Sequence, residues 1–209
     1  MEEITIIISD QTSNLDLLQV IGTFVLAGIA LAIAFWGEPL RRWSVRPLLT
    51  LNFEEPAWNW TQDKRGGWYY LLKVSNKRET QPATNVRLNL IGADTLEKNG
   101  KWHQTQFSGP VQVCWRWPES TSRHITVGPE EYATIFSFIE GEKSGTVNLI
   151  DPPLNTMTRY AAGWTVRFHF QAVSDYGKSN ILVVEVHWDG NWSNDLQKMK
   201  KHLTVDVIS

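Results

Sequence analysis

The sequence predicts a mainly β chain: an antiparallel β-sandwich preceded by one apolar helix of membrane-spanning length. Three observations carry this. Residues 17–36 read LLQVIGTFVLAGIALAIAFW, with no charge among them. From Ser44 onward the pattern changes to about eight short runs of alternating apolar and polar residues, the period of a half-buried strand. Turns rich in Gly, Pro, Asn and Asp separate the runs, and helix signals there are few.

The helix comes first. At about 1.5 Å per residue the apolar run covers about 30 Å, the thickness of a bilayer core. Only Gln19 and Thr23 in it are polar. Its flanks are asymmetric: Glu2, Glu3, Asp10 and Asp16 precede it, and Arg41, Arg42 and Arg46 follow. The excess of Arg marks the C-terminal side as cytoplasmic. Trp36 and Trp43 flank the exit, where amphipathic rings suit the headgroup zone, so Trp36, Arg41, Arg42 and Trp43 are the expected contacts with membrane lipid. Pro39 is placed to end the helix. A cleaved signal peptide is the rival, since Ala32-Ile33-Ala34 resembles a cleavage site, but the leading region is acidic and the apolar run long. Gly28 and Ala32 set small residues four apart, a spacing that permits close approach of a second helix and hence a homodimer.

The organisation expected is therefore a short extracytoplasmic tail (1–16), a transmembrane helix (17–36), a juxtamembrane linker (37–47) and one β-sandwich domain (48–209). Residues 48–53 and 203–208 are its terminal strands. Between them Trp68, Tyr70, Leu72 and Val74 share one face, and Val86-Arg87-Leu88-Asn89-Leu90 alternates cleanly. So do residues 111–117, residues 164–171 and residues 182–188. Residues 132–139 are more uniformly apolar, as a central strand is. Ser193-Asn194-Asp195 is placed to cap a short helix that ends in Lys198, Lys200 and Lys201. Residues 54–67 and 95–109 read as loops or irregular insertions.

Two stretches, Trp68-Tyr-Tyr-Leu-Leu-Lys-Val-Ser-Asn and Pro82-Ala-Thr-Asn-Val-Arg-Leu-Asn-Leu, resemble the opening hairpin of CARDB-like immunoglobulin-like modules. Ile125-Thr-Val-Gly-Pro-Glu-Glu-Tyr-Ala-Thr-Ile-Phe-Ser-Phe is similar to their turn and central strand, and Ala162-Gly-Trp-Thr-Val-Arg-Phe-His-Phe to a late strand. The resemblance runs over most of residues 48–188; the insertion at 100–123 and the tail after Trp188 depart from it. It implies an immunoglobulin-like fold and a binding or scaffold module, usually without catalysis.

Composition excludes several classes. From Gly37 onward 20 Lys and Arg face 18 Asp and Glu, a balance that does not support nucleic-acid binding. One Cys, Cys114, allows no internal disulfide framework and reads as a structural thiol. No phosphate-binding, nucleophile-elbow or metalloprotease motif is present, so no enzyme and no cofactor is expected. Outward His169 and His187, with Arg167 and Glu185, are the nearest thing to an acid–base or metal site. A solvated sheet face with cross-strand charge pairs accounts for them as well, and no third metal ligand is placed by spacing.

The 11 Trp residues are the compositional anomaly. Trp68, Trp115, Trp117, Trp164 and Trp188 fall on inward strand positions. Trp58, Trp60, Trp102 and Trp192 read as loop residues that stack on sugars, anchor a partner protein, cover the ends of the sandwich or dip into the nearby membrane surface. The expected function is a membrane-anchored interaction module for a protein partner at the cytoplasmic face. The alternative is an extracytoplasmic ligand or carbohydrate binder using the loop Trp rings.

Overall fold

The computed structural model describes residues 17–37, 46–61, 64–78, 81–105, 109–116, 123–154 and 156–208. The chain divides into two units, Met1–Arg46 and Pro47–Ser209. In the first, helix α1 (Leu17–Gly37, 21 residues) is long and apolar enough to span a membrane. Its polar Thr23 hydroxyl donates to the Gln19 carbonyl one turn back (2.8 Å), so that group is satisfied inside the helix. Pro39, Arg41, Arg42 and Trp43 lie outside the described residues.

The second unit is mainly β, built from two sheets in which every described pairing is antiparallel. The first sheet contains β1 (Leu49–Phe53), β2 (Ala57–Trp60), β3 (Gly66–Asn76), β8 (Glu130–Ile139), β9 (Ser144–Val147) and β10 (Arg159–Ala161). Its order is β1-β3-β8-β9-β10, and β2 continues the β1 edge along the first half of β3. The second contains β4 (Ala83–Leu96), β5 (Trp102–Gln104), β6 (Val111–Gln112), β7 (Ile125–Val127), β11 (Thr165–Val173), β12 (Leu182–Trp188) and β13 (Leu203–Ile208). Its order is β13-β12-β11-β4-β5, with β6 and β7 also on β4. Helix α2 (Leu196–His202) leads into β13.

The sheets meet through aromatic rings. Phe136 lies 4.9 Å from Phe168, and Phe138 meets Trp188 edge-on at 5.4 Å. Val166, Phe168, Phe170 and Ala172 alternate inward along β11, opposite Val184 and Val186 of β12. Trp68, Trp115 and Trp188 are buried, as their strand positions require.

The two motif-bearing stretches do not form the expected hairpin, because β3 and β4 lie in different sheets, and an Asn in each is structural. Buried Asn76 donates to Arg78 and Gln81 carbonyls and accepts from the Leu48 and Arg78 amides, which closes the turn after β3. Asn85 takes φ 52°, a conformation Asn tolerates better than most residues.

Several expectations need correction. Strand β4 runs 14 residues, well beyond Leu90, because a bulge at Ile91 resets the alternation so that Ala93 again points inward. Residues 54–67 and 95–109 are not simply loops: β2 pairs with β3, and β5 pairs with the end of β4. Trp164 is 49% exposed rather than core. A turn with Gly163 at φ 82° precedes it and the ladder begins only at Thr165, so no sheet covers the ring.

The segment expected as a continuous strand at 111–117 instead changes sheets. The Val113 amide donates to Leu88 of β4 (2.8 Å), while Trp115 bridges Ala133 of β8 and the Arg116 amide donates to Tyr132 (2.9 Å). The Thr134 hydroxyl also donates to the Arg116 carbonyl. Trp117 lies outside the described residues. This crossing closes one flank of the sandwich between β4 and β8. Strands β1 and β13 are edges of their sheets, and among the described residues no backbone pairing joins them, which leaves an open flank there.

Candidate functional site

The open flank is formed where α2 turns into β13. Asp195 caps α2, its carboxylate accepting from the Lys198 amide at 2.9 Å, and Met199 is fully buried. The helix ends at His202, whose Nδ1 lies 2.8 Å from Asp189 Oδ2. Partial burial opposes the Asp189 charge, but the Asn191 amide and His202 outweigh it and hold the carboxyl below its ordinary value. The sequence then alternates as Leu203-Thr-Val-Asp-Val-Ile, a β-branched strand pattern.

Strand β13 is an edge. It pairs with β12, with Leu203 opposite Trp188 and Asp206 opposite Glu185. The Asp189 amide donates to the His202 carbonyl at 3.0 Å, which makes Leu203 and Trp188 a non-hydrogen-bonded pair. Alternation then turns the N–H and C=O groups of Val205 and Val207 away from β12. No described residue takes them up. Val207 has the parity of the core face yet is 43% exposed, because nothing from the first sheet covers it.

Beside this edge lies a cleft of about 490 Å³. Phe53 and Tyr70 stack at 6.1 Å to form its apolar floor, with Leu203 and Val205 on the β13 side. Lys200 and Glu55 pair across it at 2.9 Å. The Tyr70 side chain is buried and lines the cleft. Burial first, and the Glu55 charge second, hold its hydroxyl far above its ordinary pKa, so it remains a neutral donor.

On the outer face of the second sheet, Asp94, Arg167, Glu185 and Asp206 form one cross-strand row. Arg167 Nε donates to Glu185 Oε2 at 2.8 Å, and its guanidinium lies 3.8 Å above the Trp102 ring. The two outward His residues do not converge. His169 Nε2 lies 2.8 Å from Asp94 Oδ2, and His187 Nδ1 lies 3.0 Å from Thr165 Oγ1. Among the described residues no three His, Cys, Asp or Glu side chains are grouped to hold a metal ion.

The Trp residues singled out from the sequence are dispersed. Trp58 lies on β2 opposite Trp68 and is 37% exposed. Trp60 ends β2, its backbone paired with Gly66. Trp102 lies on β5 in the other sheet, its ring covered by Arg167. Trp192 is half-buried, its Nε1 donating to the Phe138 carbonyl at 3.4 Å and its ring set against Gly66. A Cβ on Gly66 would lie 2.9 Å from that ring, so glycine permits the approach. On α1, Trp36 is exposed, and a Cβ placed on Gly28 meets nothing within 4 Å. Sequence reasoning found strand 203–208 but not its edge position, because strand order follows from pairings remote in the chain.

Comparison with protein-family models, curated proteins and solved structures finds no match to this chain.

Proposed function

We propose that this chain is a single-pass, membrane-anchored interaction module that takes up an extended segment of a partner protein along β13, at the cytoplasmic membrane face. One observation carries the reading. The free backbone groups of Val205 and Val207 lie beside a cleft with an apolar floor of Phe53 and Tyr70 and a charged rim that includes Glu54, Glu55 and Lys200. An added strand satisfies the first and its alternate side chains fill the second, which is the logic of strand augmentation. The resemblance to CARDB-like immunoglobulin-like modules supports a binding role without catalysis. The acidic residues before α1 and Arg41, Arg42 and Arg46 after it support the cytoplasmic placement. In sequence Trp36 and Trp43 flank Arg41 and Arg42, where amphipathic rings suit the lipid interface, and the small-residue spacing of Gly28 and Ala32 supports a contact between two anchors. Anchoring confines module and partner to one plane and raises their effective concentration.

The test is photocrosslinking in intact membranes with a benzophenone amino acid at Phe53 or at Ile208. The expected product joins both positions to one short segment of one partner, mapped by mass spectrometry. Val207→Pro removes an outward N–H that the β12 ladder does not use, so it blocks augmentation while the sandwich stays folded. Crosslinks that survive Val207→Pro, or that map to scattered surfaces, sink the reading.

A further inference from the structure

The β13 edge also specifies a charge. Along the outer row, Asp94 and Glu185 flank Arg167, and the Arg167–Glu185 pair is closed at 2.8 Å. Asp206 comes next, directly opposite Glu185. Two carboxylates thus face each other across neighbouring strands, an unfavourable arrangement in a sheet. Arg167 serves Glu185 from the far side, and Lys200 of α2 is held by Glu55 across the cleft. Asp206 is exposed and has no cationic partner among the described residues. Beyond Asp206 the row continues into the position that an added strand would occupy.

Building on the augmentation reading, we infer that the segment taken up by β13 carries a Lys or Arg opposite Asp206, between two apolar residues. The spacing follows from the ladder. Val205 and Val207 offer the hydrogen bonds, so Asp206 falls at a non-hydrogen-bonded pair, where opposing Cα atoms approach to about 4.5 Å and side chains interact most closely. The residues before and after the cation have the opposite parity. They point to the cleft side, over Val205, Phe53 and Tyr70. The recognition element is therefore apolar–cation–apolar in extended conformation. A second copy of this chain does not supply it: where β13 pairs with itself antiparallel, Asp206 faces Thr204, Asp206 or Ile208.

The experiment is selection of a random-peptide phage library on the full chain in phosphatidylcholine nanodiscs, with wild type, Asp206→Lys and Val207→Pro in parallel. Wild type enriches alternating peptides with Lys or Arg at one central position, about two- to fivefold over Gln there. Asp206→Lys moves the preference at that position to Asp or Glu. Alternating peptides without a charge preference, or a preference unchanged by Asp206→Lys, overturn the cation and leave augmentation standing. Absence of alternating peptides, or enrichment that persists on Val207→Pro, overturns augmentation itself. Disulfide-linked dimers of a Val207→Cys chain would assign the edge to a second copy and overturn the proposal.

Discussion

Phe138 of the first sheet and Trp188 of the second meet edge to face, with ring centroids 5.4 Å apart and planes at 75°. Trp188 Nε1 donates to the Asn191 carbonyl at 2.8 Å, so the ring is buried without leaving its one polar atom unpaired. This contact joins the two sheets beside the start of α2. Truncation of Trp188 to Ala removes the ring and the hydrogen bond together. The expected loss is about 3–5 kcal/mol, read by urea denaturation of the full chain in detergent. A loss below about 1 kcal/mol would mean that the sheets are held elsewhere.

Gly145 of β9 is a site where volume cannot be added. A Cβ there would lie 2.6 Å from the Tyr160 ring and 2.7 Å from the Phe138 ring. Both rings are fully buried and have no room to retreat. Gly145→Ala is expected to destabilise by about 1–3 kcal/mol through overpacking, in contrast to Gly128→Ala, where nothing lies within 4 Å. Equal stability of the two variants would contradict the packing.

The carboxyl of Asp189 supplies a pH dependence. Its pKa is held below the ordinary value, so its contribution to stability is fully present above the unfolded value of about 4 and is lost as pH falls through the folded one. Thermal melts of wild type and Asp189→Asn between about pH 7 and pH 3 should therefore converge on acidification. A gap that widens toward low pH would reverse the sign and refute the assignment.

Membrane orientation is tested by separate fusions of alkaline phosphatase and a fluorescent protein after Ser209. Fluorescence without phosphatase activity is the expected outcome, given the Arg residues that follow α1. Phosphatase activity without fluorescence would place the sandwich outside and reverse the proposed topology.

The sequence reading succeeded where periodicity reports burial directly. The inward faces of β3, β11 and β12 were legible because each lies within a two-sheet core, and the cap at Asp195 was legible because capping is local. It faltered where long-range pairing decides. Residues 111–116 alternate like a strand, yet backbone bonds to Leu88 and then Tyr132 carry them from one sheet to the other. Trp164 has core parity but lies one residue outside the ladder. Trp58 and Trp102 read as loop residues because their strands are three or four residues long and gain order only from β3 and β4. The β13 edge and its cleft left no local mark: LTVDVI reads alike in a central strand and an edge strand.

The crossing at 111–116 gives the sandwich the asymmetry of a bound book. The spine runs along β4, the crossing and β8, where main-chain bonds lace the two covers together. The fore-edge runs along β1 and β13, where only side chains hold the covers closed. Fluctuations that part the covers pivot about the spine and are widest at the fore-edge. Amide exchange should therefore be slow at Val113 and Arg116 and fast at Val205 and Val207.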